Sequence, residues 1–279
     1  TNVLIILFSD LGTVYKQILD YPAALNAFQD SLNLINKSSN PDIYKSNKIL
    51  CHINIGNVNK EMDNIDSAIN EYKVAINIIS SNNKYSQYKI ISHINLGQTY
   101  IVAKKYNKAL IVYDEAIKIC EKSGSEMDLG FLYALSAEAY LNLDNIYKFD
   151  SLIIKSENLI RKSRYPNDKL FLNRLLFRIA VIKDDSKGGI NLLLESVKIC
   201  KKYKLDNHLL STYKSLSNAY RDIGEINTAL KYSNIYIDLR EIIDKKQLNF
   251  FLNEKQQSLN RMQEEINGIR EEEKKEILK

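Results

Sequence analysis

The feature that most constrains this chain is a pair of small residues twelve positions apart, which recurs along the sequence. In the three clearest copies a Leu or Ile precedes a Gly, and an Ala follows that Gly twelve residues later. The pairs are Gly12 with Ala24, Gly56 with Ala68, and Gly97 with Ala109. Small residues let two packed helices approach closely where they cross. The pattern therefore predicts a chain built from repeated helix pairs.

Three weaker copies keep the same frame. We call the Gly positions and their equivalents the frame positions, which are residues 12, 56, 97, 137, 177 and 217. The copies are therefore 44, 41, 40, 40 and 40 residues apart. Phe149 and Phe177 stand where the clear copies have small residues, so we expect repeats four and five to pack less regularly. With 9 Gly and 3 Pro in 279 residues, the chain has too few turn residues for a β-sandwich.

The motif L-G-x2-Y followed by A-x3-[FY]-x2-A resembles the tetratricopeptide repeat (TPR) family, over about residues 4–240. The resemblance implies an all-α fold, a TPR-like right-handed superhelix or α-α solenoid, of about six helix pairs plus a long C-terminal helix. The first helix of each pair (the A helix) would line a concave groove, and the second (the B helix) the outer face. The period exceeds the TPR value of ~34 residues and overlaps that of HEAT and armadillo repeats. We prefer TPR because three copies carry the motif itself.

We divide the chain into a TPR array over residues 1–244 and a C-terminal heptad helix over residues 245–279. The repeats are expected at about 5–40, 49–84, 90–125, 130–165, 170–205 and 210–244.

The C-terminal segment carries apolar residues at heptad spacing, with Lys255 at one seam position. This heptad seam consists of Leu248, Leu252, Leu259, Met262, Ile266 and Ile269. The pattern predicts a helix continuous with the last B helix. Two interpretations stay open, a cap over the last repeat and a dimerising or signal-carrying coiled coil. We expect weak homodimerisation through Leu252 and the seam residues after it.

The TPR resemblance also implies a site for a protein or peptide in the groove. The repeat frame places Lys16 and Lys60 on this face, together with the candidate groove residues Asn57, Gln98, Glu138, Arg174, Arg178, Lys214, Asn218 and Arg221. Guanidinium groups suit bidentate capture of carboxylates, so the Arg-rich end favours an acidic peptide. The carboxylate clamp of co-chaperone TPR domains is incomplete here, because no repeat follows Lys214 and Asn218 to supply its remaining residues.

No catalytic, cofactor or metal motif stands out. His52 and His93 share one repeat position and are expected to be packing residues, and the three Cys to be small buried hydrophobes. No spacing of Cys or His supports a metal site, and no phosphate-binding or nucleophile motif occurs. We therefore predict no enzyme activity, cofactor or metal within these residues.

Charge and hydropathy exclude two further classes of partner. The net charge is +5, and acidic and basic residues are interleaved. The sequence therefore shows no basic stretch that would favour binding to nucleic acid. No run of 18 apolar residues occurs, so we expect no membrane segment in this stretch.

The leading hypothesis is a non-catalytic protein- or peptide-binding TPR scaffold, the ligand-sensing or interaction region of a bacterial signalling protein. A repeat array that runs into a charged heptad helix is similar to the sensory TPR region of Bacteroidetes-type two-component sensors and regulators. The alternative is a cytoplasmic adaptor or peptide-responsive regulator, similar to the quorum-sensing TPR regulators of Gram-positive bacteria. A third is an enzyme whose catalytic domain lies outside these residues. Both an extracytoplasmic sensor region of a membrane-anchored protein and a cytoplasmic location stay open.

Overall fold

The computed structural model describes residues 2–79, 83–163 and 165–277, and beyond residue 257 it describes the backbone alone. Every regular element in these residues is helical, which confirms the predicted all-α fold. Two short 3-10 helices, Pro41–Tyr44 and Asn83–Tyr85, precede the third and fifth α-helices. The α-helices are α1 (Asn2–Gln17), α2 (Tyr21–Lys37), α3 (Lys45–Glu61), α4 (Ile65–Ile78), α5 (Ser86–Val102), α6 (Tyr106–Ser123), α7 (Glu126–Asn142), α8 (Ile146–Ile160), α9 (Pro166–Ile182), α10 (Ser186–Tyr203), α11 (Asp206–Asp222) and α12 (Ile226–Ile277).

The chain forms two compact units, Thr1–Leu175 and Leu176–Lys279, here called unit 1 and unit 2. In unit 1 each helix from α1 to α7 packs against the next, and the A helices α1, α3, α5 and α7 contact one another in order. In unit 2, α10 packs on α11 and α11 on α12. The division between the units falls within α9. The boundary at residue 244 between the array and the heptad helix stays a prediction.

The same three-residue turn joins the A helix to the B helix in all six repeats. Its middle residue has a left-handed backbone conformation and stands seven residues after the frame position. These residues are Leu19, Asp63, Lys104, Asp144, Asp184 and Gly224. The next backbone N–H donates to the carbonyl five residues earlier, as in Lys105 to Tyr100 at 2.8 Å. The shared turn shows that the three weak copies are true repeats.

An aromatic ring of the B helix lies on the frame glycine of its A helix. A Cβ placed on Gly97 would stand 2.1 Å from Tyr113 Cε1, and one on Gly56 would stand 2.7 Å from Tyr72. Phe28 covers Gly12 in the same way. The glycine is thus needed because the ring occupies the space of a side chain.

Repeat five keeps this contact with its partners exchanged. In repeat five the ring belongs to Phe177 on α9 and the glycine is Gly189 on α10, whose added Cβ would lie 3.2 Å from the ring. In repeat four, Ala137, Phe149 and Ile153 are all buried. In repeat five the ring and the small residue have thus exchanged helices, and the expected irregular packing of repeats four and five stays a prediction.

The last helix, α12, has 52 residues and runs without a break from Ile226 to Ile277. At ~1.5 Å per residue it is about 78 Å long. The prediction that the C-terminal segment continues the last B helix is confirmed as far as Ile277.

We expect Gly97→Ala to lower the free energy of unfolding by about 1–3 kcal/mol, because the new methyl group overlaps the Tyr113 ring. Alanine normally stabilises a helix relative to glycine, so the sign of the change itself tests the contact. Urea denaturation followed by circular dichroism measures it.

The double variant Gly97→Ala/Tyr113→Ile provides the matched control, because it copies the Ala137–Ile153 combination of repeat four. We expect the two substitutions to be less destabilising together than the sum of the single changes. Strict additivity would contradict the contact between ring and glycine.

Candidate functional site

The predicted groove residues lie at corresponding places on the A helices. Asn57, Gln98 and Glu138 each follow a frame position directly and are half-buried; we call these three residues of unit 1 the A-helix row. Arg174, at the end of unit 1, is exposed.

In unit 2, Arg178 is half-buried, whereas the α11 residues Lys214, Asn218 and Arg221 are exposed. The Arg221 guanidinium donates a hydrogen bond to Asn218 Oδ1.

Asn57 is bound into the interface between α3 and α5. Tyr72 Oη donates to Asn57 Oδ1 at 2.7 Å, and Asn95 Nδ2 donates to the same oxygen at 3.2 Å. The Asn57 side-chain oxygen therefore links α3 to both α4 and α5.

The next repeat lacks this network. Tyr113 takes the place of Tyr72, but Gln98 replaces Asn57, and buried Leu135 stands forty residues after Asn95. Tyr113 Oη is buried and has no hydrogen-bond partner among the described residues. Burial, and then the nearby charge of Glu138, raises the pKa of Tyr113 well above its usual value. A buried hydroxyl without a partner destabilises a fold by about 1–3 kcal/mol.

Glu138 lies beside Arg174, which is one of the predicted groove cations. Arg174 Nη2 lies 3.6 Å from Glu138 Oε1, and the Glu138 side chain is only 14% exposed. The same guanidinium lies over the Phe171 ring, 4.8 Å from its centroid. The prediction treated Arg174 as available to an acidic ligand, whereas an internal carboxylate already lies beside it.

Two lysines mark the other end of this face. Lys16 and Lys60 stand four residues after their frame positions, in the last turns of α1 and α3, and both are half-buried. Burial, and to a smaller extent the charge of Lys16, lowers the pKa of Lys60, and the charge of Glu61 opposes this effect. Lys60 makes no ion pair with any side chain that the structure describes.

The two histidines have acidic partners that the sequence analysis missed. His52 Nδ1 lies 2.7 Å from Glu71 Oε2, and His93 Nε2 lies 2.9 Å from Glu115 Oε2. His93 is 1% exposed, which agrees with the expected packing role. Each contact joins an A helix to its own B helix. The acidic partners stand 15 and 18 residues after their frame positions, so the repeat alone did not reveal them.

Cys51, Cys120 and Cys200 are free and buried, as expected. Burial raises the pKa of each thiol, that of Cys120 to about 12. Thiols that stay protonated are poor nucleophiles and poor metal ligands.

The described residues offer neither a metal site nor a membrane-spanning helix. They hold no group of three or more His, Cys, Asp or Glu side chains placed to bind a metal ion. Among their helices, none is long and apolar enough to cross a membrane.

The heptad seam is described only in its first part. Leu248 and Leu252 are 57% and 53% exposed. The side chains of Leu259, Met262, Ile266 and Ile269 lie outside the described residues, so the role of the seam stays a prediction.

No family model and no curated protein matches this sequence. Solved structures of helical-repeat proteins do match the fold. The apo form of the quorum sensor NprR from B. thuringiensis has a TM-score of 0.69 and 17% identity, covering 85% of this chain and 65% of NprR. Aspartyl phosphate phosphatase F from Bacillus subtilis has a TM-score of 0.63 and 15% identity, covering 85% of this chain and 59% of the phosphatase.

A third structure is the Rap conjugation gene regulator of the plasmid pLS20 in complex with the Phr* peptide. It has a TM-score of 0.53 and 14% identity, covering 86% of this chain and 74% of the regulator. The chain thus spans less than two thirds of both NprR and the phosphatase. At these identities the likeness shows the fold, a TPR-like solenoid of helix pairs.

We expect Tyr113→Phe to raise the free energy of unfolding by about 1 kcal/mol, because it removes a buried hydroxyl that has no partner. Tyr72→Phe is the matched control and is expected to lower it by about 1 kcal/mol, because it breaks a hydrogen bond to Asn57. Parallel urea titrations measure both changes. Equal effects of the two substitutions would show that the two hydroxyls do not differ in the folded chain.

Proposed function

We propose that this chain is a non-catalytic protein- or peptide-binding scaffold, the ligand-sensing or interaction region of a bacterial signalling protein. The observation that carries the proposal is a set of half-buried polar groups on the A helices of unit 1 that have no partner among the described residues. Gln98 makes no hydrogen bond within the described part of the chain, and Lys60 makes no ion pair there. Packing alone does not require such groups on a half-buried face. A bound ligand would replace water as their partner.

The similar folds support a peptide as the ligand. The Rap regulator of pLS20 was solved with the Phr* peptide, and NprR is described as a quorum sensor. An elongated face of parallel A helices suits an extended chain, since successive helices offer it contacts at regular intervals. We therefore place a peptide along this face, across α3, α5 and α7.

The name of aspartyl phosphate phosphatase F raises the question of catalysis. The polar groups of the present chain favour binding. The thiols are buried with raised pKa values, and the imidazoles of His52 and His93 lie against Glu71 and Glu115. The chain is therefore proposed to act on its partners by binding them.

An acidic ligand is supported by the cations of the last two repeats. These are Arg174, Arg178, Lys214 and Arg221. An acidic peptide residue at Arg174 would compete with Glu138, whose ion pair with Arg174 is long at 3.6 Å.

Two cellular settings are proposed for this scaffold. The regulator setting is favoured by the fold of the quorum sensor NprR, which has a TM-score of 0.69 to this chain. The two-component sensor setting is favoured by α12, whose 52 residues form one continuous helix that could connect a binding face to an output domain.

Homodimerisation through α12 belongs to this proposal. A single helix cannot bury its own apolar stripe, and Leu248 and Leu252 are exposed. A second copy of the chain would cover the stripe from Leu252 to Ile269 by coiled-coil packing.

Charge reversal of Arg174 and Arg178 to Glu is expected to weaken the binding of acidic peptides by about tenfold or more, because two attractive contacts become repulsive. Fluorescence polarisation with labelled Asp- and Glu-rich peptide pools measures the change. The matched control is Lys118→Glu/Lys122→Glu on the B helix α6, which also reverses two charges four residues apart. Binding that is unaltered in the α9 variant, or equally weakened in the control, would argue against the Arg174 and Arg178 site.

Met262→Asp/Ile266→Asp is expected to abolish any dimer, because a charge at the centre of a coiled-coil seam is desolvated without a partner. Sedimentation equilibrium of the wild type and the variant over a range of concentrations measures the change. A wild type that stays monomeric at the highest concentration would contradict the coiled-coil interpretation and favour the cap.

A further inference from the structure

We propose that Lys60 and Gln98 form a recognition site for a carboxylate and a neighbouring peptide amide of the bound ligand. Lys60 would hold the carboxylate, and the Gln98 side chain would pair with the amide. This inference rests on the proposed function and assigns the ligand chemistry of one place on the A-helix face. That place differs from the Arg174 and Arg178 site on α9.

The register between α3 and α5 brings the two residues together. Asn57 and Asn95 are hydrogen-bonded across this interface at 3.2 Å, which fixes an offset of 38 residues between facing positions. Lys60 and Gln98 have the same offset. Because α3 and α5 run in the same direction, the second pair stands three residues, ~4.5 Å along the helix axes, beyond the first.

The first pair is hydrogen-bonded within the fold, whereas the second pair makes no hydrogen bond to the described residues. Asn57 Oδ1 already accepts hydrogen bonds from Tyr72 and Asn95. Gln98 makes no hydrogen bond to any described residue, although its side chain is half-buried. A carboxamide offers one acceptor and two donors, so it can pair with both groups of a peptide unit.

Lys60 supplies a charge that the fold itself does not use. It is half-buried and makes no ion pair with a described side chain, and the charges of Glu61 and Lys16 act on it from nearby. The pKa of Lys60 is lowered because burial, together with the weaker effect of the Lys16 charge, outweighs the opposing effect of the Glu61 charge. An anion bound beside Lys60 would favour the ammonium form and so offset the effect of burial.

A carboxylate beside an amide is the chemistry of a peptide. The carboxylate could belong to an Asp or Glu side chain or to the C-terminus, since either can stand next to a peptide amide. The two sources differ in their response to C-terminal amidation, and the test below separates them.

The first arm measures binding of fluorescein-labelled, positional-scanning octapeptide pools, made as C-terminal acids and as amides. We expect the wild type to bind the pools that carry the required carboxylate about tenfold more tightly than matched neutral pools. A preference lost on amidation identifies the C-terminus, and one that follows Asp or Glu at a fixed position identifies a side chain.

Lys60→Met is expected to abolish this preference while binding of the neutral pools persists. Lys108→Met, an exposed position on the B helix α6, is the control and should keep the preference. The thermal midpoint of Lys60→Met should stay the same or rise, because burial opposes the charge of Lys60 in the folded chain.

The second arm tests the amide contact. Each peptide bond of a well-bound octapeptide is N-methylated in turn, and we expect one position to lose about tenfold in affinity. In Gln98→Met, a variant of similar size, methylation at that position should have no further effect. Such non-additivity assigns the amide to Gln98.

The outcomes are distinguishable. If no pool binds the wild type, the proposed function fails and this inference fails with it. If pools bind without a carboxylate preference, or Lys60→Met keeps that preference, this inference alone is overturned. A preference that is lost only in the Arg174→Glu/Arg178→Glu variant would place the carboxylate on α9 and overturn it as well.

Discussion

The contact on which the rest of the structure depends is an aromatic ring of the B helix lying on a glycine of its A helix. In repeats one to three the rings of Phe28, Tyr72 and Tyr113 occupy the space of the missing side chain. This contact fixes the distance and rotation between the two helices of a pair. Repeat five keeps it with the partners exchanged, which shows that the summed volume matters more than the helix that carries the ring.

The same contact generates the polar face. A tyrosine that lies across its glycine brings the phenolic oxygen to the next A-helix position, where Tyr72 meets Asn57. In the following repeat the ring packs in the same way, but the amide network is gone and Tyr113 Oη has no partner among the described residues. A packing requirement thus places hydroxyl and amide groups on the face that we propose binds a ligand.

The sequence predicted the helix pairs well, because small residues twelve apart report directly on a crossing. The turns were harder to foresee, since Leu19, Asp63 and Lys104 adopt one left-handed conformation without any common chemistry. The Arg174 contact with Glu138 could have been predicted from the sequence, because these residues occupy nearly the same frame positions as Asn95 and Asn57. The acidic partners of His52 and His93 could not have been predicted, because they stand at different places in their repeats. The sequence did not reveal that Gln98 and Lys60 lack partners among the described residues, because this depends on which side chains reach them in the packed helices.

The most direct test of the binding face is a crystal structure of the chain with its tightest-binding octapeptide. The account predicts an extended peptide across α3, α5 and α7, with a carboxylate within hydrogen-bond distance of Lys60 Nζ and a peptide group paired with the Gln98 amide. A peptide bound on the B helices or along α12, with Lys60 and Gln98 left uncovered, would contradict it.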